Sequence, residues 1–168
     1  MSGVFNRILA CILYLLAQVF LFNDMTLFQV ATPFVFLLFL FTLPMATSTA
    51  VLYLVTFGFG ITMDILSENV ATGLHTFSAL LAMGVRRPIV AMTASSNIRN
   101  AGDVNFASQG SLWWASFLLP LIFVHNFSYF LLEAFSFDGF FHTLWKVVAS
   151  TLYTFVICYM LAYLFYKK

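Results

Sequence analysis

The sequence predicts an all-α, polytopic membrane helix bundle with six transmembrane helices. Three observations predict it. Hydrophobic residues make up 62% of the 168 positions and charged residues only 8%, against roughly a quarter in an ordinary soluble domain. Twenty-two Phe and a mean hydropathy of +0.99 point to lipid as the solvent. The apolar residues also fall into six stretches near the length of about 20 residues that a spanning helix needs. Disorder is excluded, because it requires low hydrophobicity and high charge. A strongly basic nucleic-acid binder is excluded by the net charge of +1. Cys11 and Cys158 sit deep in apolar runs and form neither a disulfide framework nor a metal site.

The six predicted spans are 4–22, 26–43, 45–66, 70–90, 112–135 and 141–166, all within one integral membrane domain. The first is long, has no A-x-A cleavage site after it, and reads as an uncleaved anchor. Asn23 and Asp24 end it. The second carries Pro33 inside it, with Gln29 and Thr32 diluting its first half. The segment before Pro33 reads either as helix or as a loop or half-helix at the membrane surface, which protein or water must cover. Pro44 separates the second span from the third. Ser67, Glu68 and Asn69 end the third, and Ser136 to Gly139 end the fifth, which Pro120 is expected to kink.

Basic residues orient the bundle. With six spans and an N-in/C-in topology, Arg7, Arg86, Arg87, Arg99, Lys167 and Lys168 fall on the cytoplasmic side, and Lys146 alone does not. Asp24, Asp64, Glu68, Glu133 and Asp138 all fall towards the outer face. The polar stretch 95–110 becomes a cytoplasmic loop, with Trp113 and Trp114 following at the interface. Arg86, Arg87 and Arg99 are expected to meet anionic membrane lipid or a filament partner.

Ionisable groups inside a span cost roughly 2.5–3.5 kcal/mol on insertion scales, so they have partners or a task. Thr56, Gly60 and Asp64 share one face of the third span, continued by Glu68. Ala71, His75, Ser78, Ala79, Ala82 and Arg86 form a small and polar stripe on the fourth. A short turn joins the two spans, so Asp64 and His75 should meet near the outer face as a buried pair. Asp64 reads either as a structural partner of His75 or as a ligand or proton-carrying group. His125, Tyr129 and Glu133 follow an i, i+4, i+8 pattern on the fifth span and read as interhelical glue or as a partner contact. No zinc-protease, nucleophile-elbow, C-x-x-C or phosphate-loop motif is present, and Gly58 with Gly60 reads as a packing notch. The residues name no cofactor and no catalytic group.

Gly60, Asp64 and Ser67 in the run 60–67, then Gly73 and His75, then Arg87 and Pro88, together resemble the signature of the rod shape-determining protein MreD family. Residues 31–34, Leu43 with Pro44, and the run from His125 through Glu133 to Phe137 also resemble one branch of it. The resemblance runs from about Phe28 to about Thr154 and rests on the order and spacing of motifs that are individually short. It implies a non-enzymatic scaffold of the bacterial cytoplasmic (inner) membrane. Such a scaffold works in cell elongation and peptidoglycan synthesis with MreC, MreB, RodA and RodA's transpeptidase partner. It also implies a fold similar to the S components of energy-coupling-factor transporters, in which an outward pocket holds a vitamin. That relation supplies a second reading, a small-molecule-binding S component. Against it, S components commonly carry an A-x-x-x-A contact on the first helix, and here Ala10 and Ala17 are spaced differently. A membrane enzyme has no positive motif behind it.

Overall fold

The computed structural model describes residues 2–67, 72–93, 106–134 and 139–166. The described chain is helical, in the order α1 (Ser2–Ala17, prolonged by a π-helical stretch Gln18–Phe22), α2 (Phe36–Phe41), α3 (Thr49–Leu66), α4 (Leu74–Thr93), α5 (Phe106–Ala134) and α6 (Phe140–Tyr166). Four helical stretches, Phe5–Phe22, Thr49–Leu66, Gly110–Ala134 and Phe140–Phe165, are long and apolar enough to cross a membrane. The protein is thus a helical membrane protein by length and composition.

Helices α3, α4, α5 and α6 pack in sequence order, each on the next, while α1 touches mainly α2. The large apolar side chains left outside, among them Phe5, Leu54, Ile65, Phe141 and Leu164, are the surface expected to face acyl chains. Helix α4 lies between α3 and α5, and nine of its twenty residues are buried. His75, Thr76, Ser78 and Arg86 are among them, which explains why α4 is long enough to span but less apolar than the other four. Its start falls at Leu74, because Gly73 makes the preceding turn at φ +102, a conformation that side-chain-bearing residues rarely adopt.

The predicted second span, 26–43, is corrected: it is no continuous helix. Leu27 and Ala31 pair across a tight turn in which Phe28 and Gln29 both take positive φ. Pro33 lacks an N–H and biases Thr32 away from helical geometry. Helix therefore forms only over Phe36–Phe41, and every residue from Phe34 to Phe41 is buried. The segment still runs lengthwise through the bundle. Phe34 touches the His75 ring at 5.4 Å, whereas the carbonyls of Phe41 and Leu43 receive Arg86. Those two levels of α4 are eleven residues apart, about 16 Å along a helix. Tyr14 lies at 5.9 Å from Phe39 and Gln18 beside Val35, so α1 and α2 are antiparallel.

Trp113 and Trp114 are covered by protein: Trp114 is fully buried and Trp113 stacks on Phe117 at 5.0 Å. Of the polar stretch 95–110, residues 95–105 lie outside the described residues. Its end, 106–110, is a helical turn divided from the rest of α5 by Gly110 at φ 68.

Candidate functional site

The predicted meeting of Asp64 and His75 takes place, but through the backbone. Oδ1 of Asp64 accepts the His75 N–H at 2.8 Å. Oδ2 accepts the Thr76 N–H at 3.1 Å and the Thr76 hydroxyl at 2.5 Å. These are amides of the first turn of α4, which no intrahelical carbonyl can satisfy. A carboxylate from α3 therefore caps α4 and sits at the positive end of its dipole. The imidazole of His75 is released for another purpose, described below.

Gly60 explains why the two helices come this close. A Cβ on Gly60 would lie 2.5 Å from the Cα of Thr76, a backbone atom that cannot swing away. One turn of helix separates this contact from Asp64, so close approach and capping form a single joint. Gly60→Ala is expected to destabilise the protein by about 1–3 kcal/mol, the usual cost of overpacking. Its unfolding transition in detergent should drop accordingly. Gly58→Ala is the control, because nothing lies within 4 Å of a Cβ there. Ser67 closes α3: its N–H and hydroxyl both return to the Met63 carbonyl. Glu68, expected to continue the Asp64 face, lies outside the described residues.

The rings of His75, His125, Tyr129, Phe34 and Phe36 form one cluster around the start of α2. His75 and Tyr129 have ring centres 4.7 Å apart, and Phe34 meets His125 at 5.2 Å. His125 is fully buried, and its Nδ1 lies 3.1 Å from the Asn126 side-chain oxygen, to which it donates. Asn126 donates onward to the Thr151 hydroxyl at 3.2 Å, tying α5 to α6. Glu133 does not join this face. It is exposed and pairs with Lys146 at 2.7 Å on the outside of α5 and α6. Eight helical residues turn through about 800°, so the i, i+8 position has drifted well off the His125 face. A partly exposed pair of this kind contributes about 0.2–1 kcal/mol.

Above the cluster opens a cavity of about 450 Å³, whose polar lining includes Asn23, Asp24, Thr32, Ser67, His75 and Tyr129. Its size falls in the range of small-molecule pockets, roughly 300–1,000 Å³.

Two side chains that the sequence reading did not single out as site residues hold α2 in place. Gln18 is fully buried; its Oε1 accepts the N–H groups of Val35 at 2.7 Å and Phe36 at 3.2 Å. Its Nε2 donates to the Pro33 carbonyl at 2.9 Å and to Asn23 Oδ1 at 3.1 Å. Arg86 caps the other end, donating from Nε to the Phe41 carbonyl at 3.1 Å and from Nη2 to that of Leu43. Arg86 is only 1% exposed, so protein covers most of the side chain. From α6, Ser150 accepts the Thr32 N–H at 3.0 Å and Thr154 that of Phe34 at 3.1 Å. Arg87 is exposed and reaches the Thr47 carbonyl at 3.5 Å, and Pro88 lies inside a helix that continues past it.

No family model, curated protein or solved structure matches the chain.

Proposed function

We propose that the chain is a multi-pass scaffold of the bacterial inner membrane, of the MreD type. Its task in this reading is to bind the transmembrane helix of MreC and to help direct peptidoglycan synthesis with MreB, RodA and RodA's transpeptidase partner. The observation that carries the reading is the fate of Asp64. In the motif that resembles the family, this is the one intramembrane carboxylate, and its oxygens are taken up by three hydrogen bonds to α4. A group so engaged serves helix joining and not turnover. Helix association in lipid rests on packing and polar contacts, so a rigid joint that leaves outer faces apolar suits a protein that receives other helices. An apolar groove of about 330 Å³ between α5 and α6, lined by Leu119, Pro120, Phe123, Val148, Thr151 and Leu152, offers a seat for the MreC helix.

The proposed topology has six passes with both termini in the cytoplasm. Five are α1, α3, α4, α5 and α6, and the broken segment through α2 makes the second. The level of Arg86 and Arg87 is then cytoplasmic, and the cavity beside Asp24 opens outward, in keeping with the placement of basic residues. Depletion in a rod-shaped host is expected to give rounded cells, scored by microscopy.

The outward cavity favours one further reading, a small-molecule-binding S component of a transporter. In that case depletion would leave cell shape unchanged and impair uptake of a vitamin-sized solute.

A further inference from the structure

We propose that the notch between the start of α3 and the middle of α4 binds a phosphate oxyanion, held by Arg86 and Arg87. The notch encloses about 30 Å³ and is lined by, among others, Thr49, Tyr53, Gly84, Arg86 and Arg87. That is room for one oxygen-sized atom, with the rest of the anion outside. Arg86 is 1% exposed, and two of its three nitrogens hold the carbonyls of Phe41 and Leu43. The third, Nη1, is buried with no hydrogen-bond partner in the protein. No carboxylate pairs with Arg86 among the described residues, and a second guanidinium, Arg87, lines the same notch.

A buried guanidinium without a counter-charge is costly, and so is a buried donor without an acceptor. An anionic oxygen in the notch supplies the missing counter-charge to the two guanidinium groups that line it. Three features select phosphate. Guanidinium N–H groups match its oxygens in geometry and charge. Arg87 remains exposed at the mouth to reach a second oxygen. The first turn of α3, whose Ser48 side chain caps only the Val51 N–H, lends the positive end of an eighteen-residue helix. Such basic pockets between membrane helices take anionic lipid headgroups, and inorganic phosphate offers the same oxygens.

Native mass spectrometry of the detergent-purified protein, given phosphatidylglycerol and diacylglycerol in equal amounts, reads the site directly. The wild type should retain phosphatidylglycerol in preference. Arg87→Gln removes one ligand. Gly84→Ala keeps both charges and favours helix, but places a methyl 3.2 Å from the Tyr53 hydroxyl in the notch. Each variant should lower retention about tenfold, the loss expected for a hydrogen bond to a charged group, at an unchanged unfolding temperature. Inorganic phosphate is added in a parallel series. Displacement of the lipid and stabilisation by phosphate alone would make free phosphate a ligand of the site, while retention against it would make the headgroup the ligand. A wild type that neither prefers phosphatidylglycerol nor responds to phosphate overturns the proposal. So does retention at the wild-type level in both variants.

Discussion

Asp64→Ala is expected to destabilise the folded protein by about 3–5 kcal/mol, the range for removing one partner from a buried charged network. The carboxylate accepts from the His75 and Thr76 amides and from the Thr76 hydroxyl. Truncation leaves both amides buried with no acceptor, at about 1–3 kcal/mol each. The hydroxyl can turn to a backbone carbonyl, so its share is smaller. An ordinary interhelical hydrogen bond in a membrane protein is worth only about 0.6 kcal/mol, because the partly unfolded chain in lipid finds other partners. The larger figure here follows from orphaned backbone amides, for which α4 has no internal replacement. Unfolding by increasing SDS, followed by circular dichroism, measures it. Asp64→Asn keeps an accepting oxygen but no charge, and should lose roughly half as much. A catalytic or ligand-binding Asp64 would show the reverse pattern, with stability kept and function lost.

Gln18→Leu is expected to cost a similar amount, about 3–5 kcal/mol, from three groups at roughly 1–3 kcal/mol each less partial relaxation. The amides of Val35 and Phe36 lose their acceptor and the Pro33 carbonyl loses its donor. Leu has nearly the volume of Gln and is welcome in lipid, so hydropathy alone predicts a neutral or stabilising change. The two expectations have opposite signs, which makes this substitution informative. Gln18→Glu restores part of the set: buried and protonated, it accepts from both amides through one oxygen and offers its O–H to the Pro33 carbonyl. It should fall between wild type and Gln18→Leu in the same SDS titration.

These effects share a physical origin. A six-residue helix with irregular chain on both sides exposes far more unpaired backbone than a long span, and lipid satisfies none of it. Gln18, Arg86, Ser150 and Thr154 supply the partners from three surrounding helices. The short helix and its approach survive away from water because protein covers every residue from Phe34 to Phe41.

The membrane class was legible from composition, and the end of α3 at Leu66 from the turn residues after it, whereas α3, α4 and α5 start at Thr49, Leu74 and Phe106 against an expected 45, 70 and 112. α6 runs from Phe140 to Tyr166 against an expected 141–166, because an apolar run bounded by Gly139 leaves one solution. The joint was legible too: helical spacing puts Gly60 and Asp64 on one face, and a short turn brings α4 back beside it. Sequence could not say that Asp64 would choose the His75 amide over the imidazole, since spacing locates residues and not the atoms that bond. The break in the predicted second span was half visible at Pro33. Its partners were invisible, because Gln18 lies fifteen residues before Pro33 and Thr154 lies 120 after Phe34. A signal for Gln18 existed, as an amide deep in an apolar span needs a partner. The burial of Arg86 was not legible, because the positive-inside rule places a charge on a side of the membrane and says nothing about whether protein covers it.

In the proposed function this bundle holds another membrane protein, and co-purification in mild detergent from the native host decides the matter. A single-span MreC-type protein should come down in near-stoichiometric amount, and cysteines placed at Leu119 or Leu152 should cross-link to its helix. Recovery instead of a coupling subunit with its ATPases, or of a vitamin-sized molecule bound in the outward cavity, would contradict it.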